Sequence, residues 1–205
     1  LAPLLAPYAS EMPAVFRDQF LNPLNFGDAV ILEGKMDDVW HRPPWISSLL
    51  WLSSFVNILF PETGRDVPAR LVIFPTKASL GRSAQRWRRT FRFPRVRRFN
   101  ATVAYDTRRR AVVESMGPAG ILETDWSAQF IAPDRLIVES RGAFLRIAFL
   151  RLPLPGLLTP RVRVVQTATA EAADTVNVHF SISHDLLGEI FGYRGTFRGT
   201  RRSRG

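Results

Sequence analysis

Arg86-Trp87-Arg88-Arg89-Thr90-Phe91-Arg92-Phe93 decides the fold of this chain. Written as an extended strand, it puts Arg86, Arg88, Thr90 and Arg92 on one side. Trp87, Arg89, Phe91 and Phe93 fall on the other, because successive side chains of a strand point to opposite faces. One side is a solvated basic face and the other an aromatic core face, as an antiparallel sheet with one wet surface requires. The texture repeats on both sides of this stretch. Runs rich in Val, Ile, Phe, Thr and Arg fall at 69–74, 100–106, 111–115, 121–131, 136–139, 143–150, 161–170, 175–183 and 191–198. Turn formers separate many of them: Asp106-Thr107-Arg108, Gly117-Pro118, Pro133-Asp134, the Pro153 to Pro160 segment, and Asp185 to Gly188. So many antiparallel strands must pack as two layers or close into a barrel, which also removes exposed edges. The expected fold is mostly β, a single antiparallel β-barrel or strongly curved sheet with N-terminal helices as a lid.

Upstream the pattern changes. Val15, Phe16, Gln19 and Phe20 form a partial apolar stripe that predicts a helix over 8–21. Asn22-Pro23 ends it, since the residue before Pro avoids helical backbone. Residues 29–40 alternate as a further strand. Then 43–60 carries no charge at all, with Trp45, Leu49, Leu52, Val56 and Leu59 on one helical face and Ile46, Leu50 and Ile58 interrupting the other. A helix apolar nearly all round must be covered on both sides. Its 18 residues touch the lower limit for crossing a bilayer. Four Ser, one Asn, and Pro44 and Pro61 at its borders favour a lid helix instead.

With 205 residues, 46% hydrophobic and 22% charged, the chain can close one core and is not a disordered tail. No linker or repeat divides it, so one domain is expected over 1–198, followed by an Arg-rich disordered tail over 199–205. The absence of Cys excludes disulfides, thiolate nucleophiles and Cys-type zinc sites. His41, His179 and His184 offer little for a His-built metal site, and His179 and His184 fall on opposite faces of a strand. No Gly-x-Gly-x-x-Gly follows a strand and no Gly-x-Ser-x-Gly elbow exists. Neither metal nor nicotinamide cofactor is expected in this chain. Its net charge is +10, and of 28 basic residues only Lys35 and Lys77 are not Arg. That excess suits an anionic membrane surface or a phosphorylated partner. With no nucleic-acid motif present, nucleic acid is not an expected partner. No cleavable leader pattern is visible, which reads as cytoplasmic, membrane association being the alternative.

Gly64-Arg65-Asp66-Val67-Pro68 stands ahead of a strand, and Glu114-Ser115-Met116-Gly117-Pro118 follows in mid-chain. Leu152-Pro153-Leu154-Pro155 with Pro160 comes next, then Leu186-Leu187-Gly188 with Tyr193-Arg194-Gly195. In order and spacing this set resembles the bacterial domain-of-unknown-function family 4166, from about Tyr8 to Phe197. The resemblance implies a compact domain that stands alone or beside a saccharopine-dehydrogenase-like NAD(P)-binding domain, which makes an oxidoreductase an expected partner. It implies no active site. The chain departs from the pattern within 161–170, where an acidic residue is expected and Gln166-Thr167-Ala168-Thr169 stands.

Glu114 lies on a mostly apolar strand. Facing a barrel interior it would be desolvated, with its pKa raised toward general acid–base use. Glu123, Asp125, Glu139 and Arg141 on neighbouring strands could complete a buried carboxylate–Arg pair. Aromatic bulk is abundant: Trp40, Trp45, Trp51, Trp87, Trp126, Phe144, Phe149 and Phe180. A barrel of eight to ten strands can enclose one small ligand. A strand, a helical segment and a meander are similar to the lid-and-barrel plan of lipocalin-like and fatty-acid-binding proteins. Three functions stay open. The first is a binding domain for an apolar, lipid-like or polyketide-like molecule, serving a redox partner. Its wall would be Trp45, Leu49, Trp51, Phe55, Trp87, Trp126, Phe144 and Tyr193. The second is a cofactor-free cyclase or isomerase with Glu114 as proton-transfer residue and Arg141 as polarising partner. The third is a membrane-surface adaptor using the 43–60 helix and the 82–98 strand. An ionisable residue on the cavity favours the enzyme, a purely apolar cavity favours binding, and an exposed apolar helix beside a basic face favours the membrane.

Overall fold

A computed structural model of the chain describes residues 1–77, 83–148 and 150–202. Arg82, Phe149 and the last three residues of the expected tail lie outside the described residues. The strands, in chain order, are β1 (Ala29–His41), β2 (Gly64–Lys77), β3 (Ser83–Arg92), β4 (Val96–Asp106), β5 (Ala111–Met116), β6 (Leu122–Ile131), β7 (Arg135–Ile147), β8 (Leu150–Pro153), β9 (Arg161–Thr169), β10 (Ala172–His184) and β11 (Gly188–Arg202). All pairs are antiparallel and run β6-β5-β4-β3-β2-β1-β11-β10-β9-β7, with β7 returning to β6. Ten strands therefore close a barrel, and β8 extends the last residues of β7.

The alternation read from the sequence is the alternation of the barrel wall. Trp87 and Phe91 of β3 are buried inside, and so are Phe180 and Ile182 of β10 and Phe191, Tyr193 and Phe197 of β11. Arg88 and Arg92 face out. The stretches at 136–139 and 143–150 are not two strands. β7 runs through them, because Gly142 stays in register opposite Asp125 while Ser140 pairs with Trp126. Arg141 is the extra residue of that bulge, which leaves it unpaired and turned outward. The expected tail also differs. Gly199 to Arg202 pair with Leu32 to Ala29 and continue β11. That seam between the first and last strands is tight at Gly34 and Gly195, where a Cβ would lie 1.9 Å from the Thr196 oxygen and 2.2 Å from the Lys35 oxygen.

Each mouth has its own cover. At the end where β1 begins, the first 21 residues fold across the opening as α1 (Ala2–Leu5) and α2 (Ala14–Phe16), which widens into an i→i+5 turn over Arg17–Leu21. Pro13 caps α2, so the helix expected over 8–21 starts only after it. Leu5, Met12, Val15, Phe16 and Phe20 are buried beneath. Phe16 meets Phe130 edge-on at 6.4 Å, and Phe20 lies 5.9 Å from Trp87.

The β1–β2 connection crosses the opposite mouth. Its helix α3 (Ile46–Ser54) has nine residues, half the expected length. Pro43 and Pro44 delay its start. The Ser53 and Ser54 hydroxyls donate back to the Leu50 and Trp51 carbonyls, and Asn57 turns left-handed at φ 54. Such side-chain bonding competes with helix continuation. Under α3, Ile46, Leu50 and Phe60 are buried. Phe60 packs on Phe91, Phe93 and Phe191 at 4.8, 5.5 and 5.3 Å, and Phe180 stacks on Tyr193 at 4.7 Å. Rings fill this half of the barrel.

Candidate functional site

Between the ring layer and the N-terminal cover lies an interior cavity of about 80 Å³. Its wall takes residues from all ten strands of the barrel, most of them aliphatic or aromatic, and Leu1 and Phe20 line it from the cover. One side is polar. Glu114 projects from β5 between Val103 of β4 and Thr124 of β6, and is 3% exposed. Arg89, on the aromatic face of β3, brings both terminal guanidinium nitrogens to Glu114 Oε1 at 3.4 and 3.5 Å. The same guanidinium lies 4.5 Å from the Phe99 ring centre and 5.2 Å from that of Trp87, contacts that suit a weakly hydrated cation.

Burial pushes Glu114 above the usual carboxylate range, and the Arg89 charge only partly offsets it. The Trp126 indole also favours the ionised carboxylate, but its N–H stops short of full hydrogen-bond geometry. Burial likewise raises the Tyr193 hydroxyl to about 12, with Arg89 opposing and Glu114 adding to the shift. Gln166 on β9 completes this side, and its Oε1 is buried without a partner, as are Trp126 Nε1 and Thr124 Oγ1. Buried polar atoms are normally satisfied, so several orphans beside one cavity set it apart from ordinary core. Chemically the group can hold a polar ligand atom, from Arg89 as donor or from Glu114 as acceptor or acid. Among the described residues, no three His, Asp or Glu side chains converge as a metal site would need.

The residues singled out in the sequence divide sharply. Glu114, Trp87, Trp126 and Tyr193 meet at the cavity. Arg141 does not: as a bulge residue it is exposed, and Arg89 stands in its place beside Glu114. Trp45, Leu49, Trp51 and Phe55 stand exposed beside or on α3, at the mouth remote from Leu1 and Phe20. Phe144 lies outside the cavity, 3.2 Å beneath the Arg151 guanidinium. That Arg binds Glu123 at 2.8 Å and Asp125 at 2.5 Å, and with Glu123 it lines an outer groove. Glu139 pairs with Arg163 at 3.1 Å. His179 lies against Trp40, and His184 bonds the Leu157 carbonyl. Arg89 and Gln166 were missed, although strand alternation had already placed Arg89 on the core face.

Residues 12–197 match the family described as Domain of unknown function (DUF4166). A relative from Bacillus subtilis (strain 168), named Uncharacterized protein YndH, is 27% identical over 171 residues, covering 82% of each chain. No solved structure matches. With 186 of its 205 residues spanned, this β-barrel chain belongs to the DUF4166 family.

Proposed function

We propose that the domain binds a small, mostly apolar molecule carrying one polar group, inside the barrel, with the N-terminal 21 residues as its gate. One observation carries this: in a mostly apolar wall Arg89, Glu114, Trp126 and Gln166 converge on one side, and two of those side chains keep buried polar atoms without a protein partner. An apolar pocket with a few placed polar groups is the usual form of a small-molecule site. At about 80 Å³ the cavity admits only a few heavy atoms, against roughly 300–1,000 Å³ for drug-sized ligands. A lipid-like or polyketide-like chain therefore needs Leu1 and Phe20 to move aside. Beside an oxidoreductase partner such a module would have a use, holding an apolar substrate for it.

The test is titration of the full chain with a fluorescent polyene fatty acid. Saturable binding at micromolar protein that quenches tryptophan emission, and that weakens in Arg89→Met, supports the reading. No binding up to that concentration ends it. A second reading has its own support: Glu114 opens onto the cavity, and burial favours its neutral acid form, which a cofactor-free isomerase or cyclase would use for proton transfer. Glu114→Gln that binds the probe as the wild type does, while losing turnover of a bound polyene, would separate the enzyme from the binder.

A further inference from the structure

The mouth beneath α3 is where the molecule keeps its exposed apolar surface. Among the described residues, sixteen large apolar side chains stand well exposed; fourteen lie in or beside the loops of this end, and only Phe26 and Ile131 lie at the other. α3 is the centre of it. Ile46 and Leu50 anchor the helix at 2% and 3% exposure. Trp45, Leu49, Trp51, Leu52 and Phe55 are each more than half exposed. At about 100° per residue these five cover roughly 160° of arc turned away from the barrel. A surface helix ordinarily shows polar and charged groups on that side, and an apolar patch this concentrated marks an interaction site.

Charge surrounds the patch. The β3–β4 hairpin holds Arg92, Arg95 and Arg98, all exposed and without an acidic partner among the described residues. The hairpin is tied to the connection that carries α3. Arg97 pairs with Glu62, Phe93 packs on Phe60, and the Asn100 N–H donates to the Asn57 carbonyl at 3.2 Å. Of the carboxylates of this end, Glu62 pairs with Arg97, Asp185 pairs with Arg161 at 3.0 Å, and Glu189 accepts from the Trp40 indole. The surface is thus an apolar, Trp-bearing helix beside uncompensated guanidinium groups.

We propose that this end of the barrel docks on an anionic lipid bilayer. Trp45, Leu49, Trp51, Leu52 and Phe55 enter the boundary between headgroups and acyl chains, and Arg92, Arg95 and Arg98 meet lipid phosphates. Tryptophan rings favour that interface, and a helix lying in the surface plane buries its apolar face about 5–10 Å deep. Among the described residues no helix is long and apolar enough to cross a bilayer, and nine-residue α3 suits a contact along the surface. This proposal is independent of the ligand reading, whose cavity is bordered by Leu1 and Phe20 from the opposite mouth.

Co-sedimentation of the full chain with vesicles of phosphatidylcholine alone, and of phosphatidylcholine mixed with phosphatidylglycerol, tests it. The variants are Trp45→Ser with Leu49→Ser, and Arg92→Glu with Arg95→Glu and Arg98→Glu. These side chains are exposed, so an unchanged urea midpoint will show that both variants fold. The wild type is expected to bind the mixed vesicles, with tryptophan emission shifted to the blue and affinity falling as salt rises. Each basic residue near an anionic surface strengthens binding on the order of five-fold, so either variant loses roughly ten-fold or more. Equal binding to both vesicle types, or none to either, overturns the proposal. So does a dimer of the wild type that the Trp45→Ser, Leu49→Ser variant abolishes, since the occupant would then be a second copy of the chain.

Discussion

Phe191 and Phe20 each help to close a mouth of the same barrel, yet they are held in different ways. Phe191 projects from a ten-strand wall, is fully buried, and meets Phe60, Phe180 and Tyr193. Phe20 sits in a wide turn that follows a three-residue helix, far too short to be stable alone, and meets Trp87 across the cavity. One mouth is sealed by rings mounted on strands. The other is covered by a segment whose place depends on its side chains. Regions that open locally are drawn from the second kind, and the cavity lies on that side. What distinguishes a seal from a gate here is the backbone behind the ring.

Removing a ring from the seal should cost most. Phe191→Ala is expected to lower stability by about 3–5 kcal/mol, read from urea unfolding, with the apolar probe binding no better. Phe20→Ala should cost less, about 2 kcal/mol, because the cover can settle into the space left. It should also bind the probe more tightly than the wild type and speed hydrogen exchange in 14–22 while leaving Phe191 to Phe197 protected. Equal costs with unchanged exchange at both ends would erase the distinction between seal and gate. The smallest effect concerns pH. Because burial raises Glu114 above its ordinary value of 4.5, the folded chain holds that proton more tightly than the unfolded one. Its contribution to stability is complete below pH 4.5 and is lost as pH rises through the raised value. Glu114→Gln, which keeps an acceptor for Arg89, should change stability at pH 7 by about 1 kcal/mol or less. Unfolding series at pH 5 and pH 8 should show the wild type gaining on the variant as pH falls. A constant difference between the two pH values would mean that Glu114 keeps an ordinary pKa.

The wall of the barrel was legible because a strand has a period of two. In 86–93 that period alone assigns Arg89 to the interior with Trp87 and Phe91. It equally assigns Glu123 and Asp125 to the outside, once Thr124 and Trp126 are inward. The choice of Arg141 as partner for Glu114 failed because a bulge changes the phase: one extra residue opposite Asp125 and Trp126 turns it outward, and nothing in its side chain announces that. The 43–60 helix misled for a related reason. Its hydrophobicity reads as burial, but only Ile46, Leu50 and Phe60 are fully covered, Ile58 and Leu59 are partly so, and Trp45, Leu49, Trp51, Leu52 and Phe55 face out. Hydrophobicity states that a surface avoids water. It does not state what covers it. Gln166 was noted only as a departure from the expected acidic residue, because an amide in a strand does not announce a cavity until the residues beside it are placed.

The seam between β1 and β11 has a consequence for how the chain comes together. β1 acquires β2 as a neighbour early, but its other edge waits for β11, the last strand of the barrel to be made. Through most of synthesis that edge offers unpaired N–H and carbonyl groups to any passing strand, and such edges invite wrong partners. At Gly34 the edge is selective. The two strands come so close that Gly34, across from Phe197, has no room for a Cβ against the Thr196 oxygen, and Gly195, across from Met36, has none against the Lys35 oxygen. A strand from another molecule would need glycine at that same register to lie down fully. The pair of glycines thus acts as a lock that admits the chain's own last strand and turns most others away, keeping an unfinished barrel from joining its neighbours.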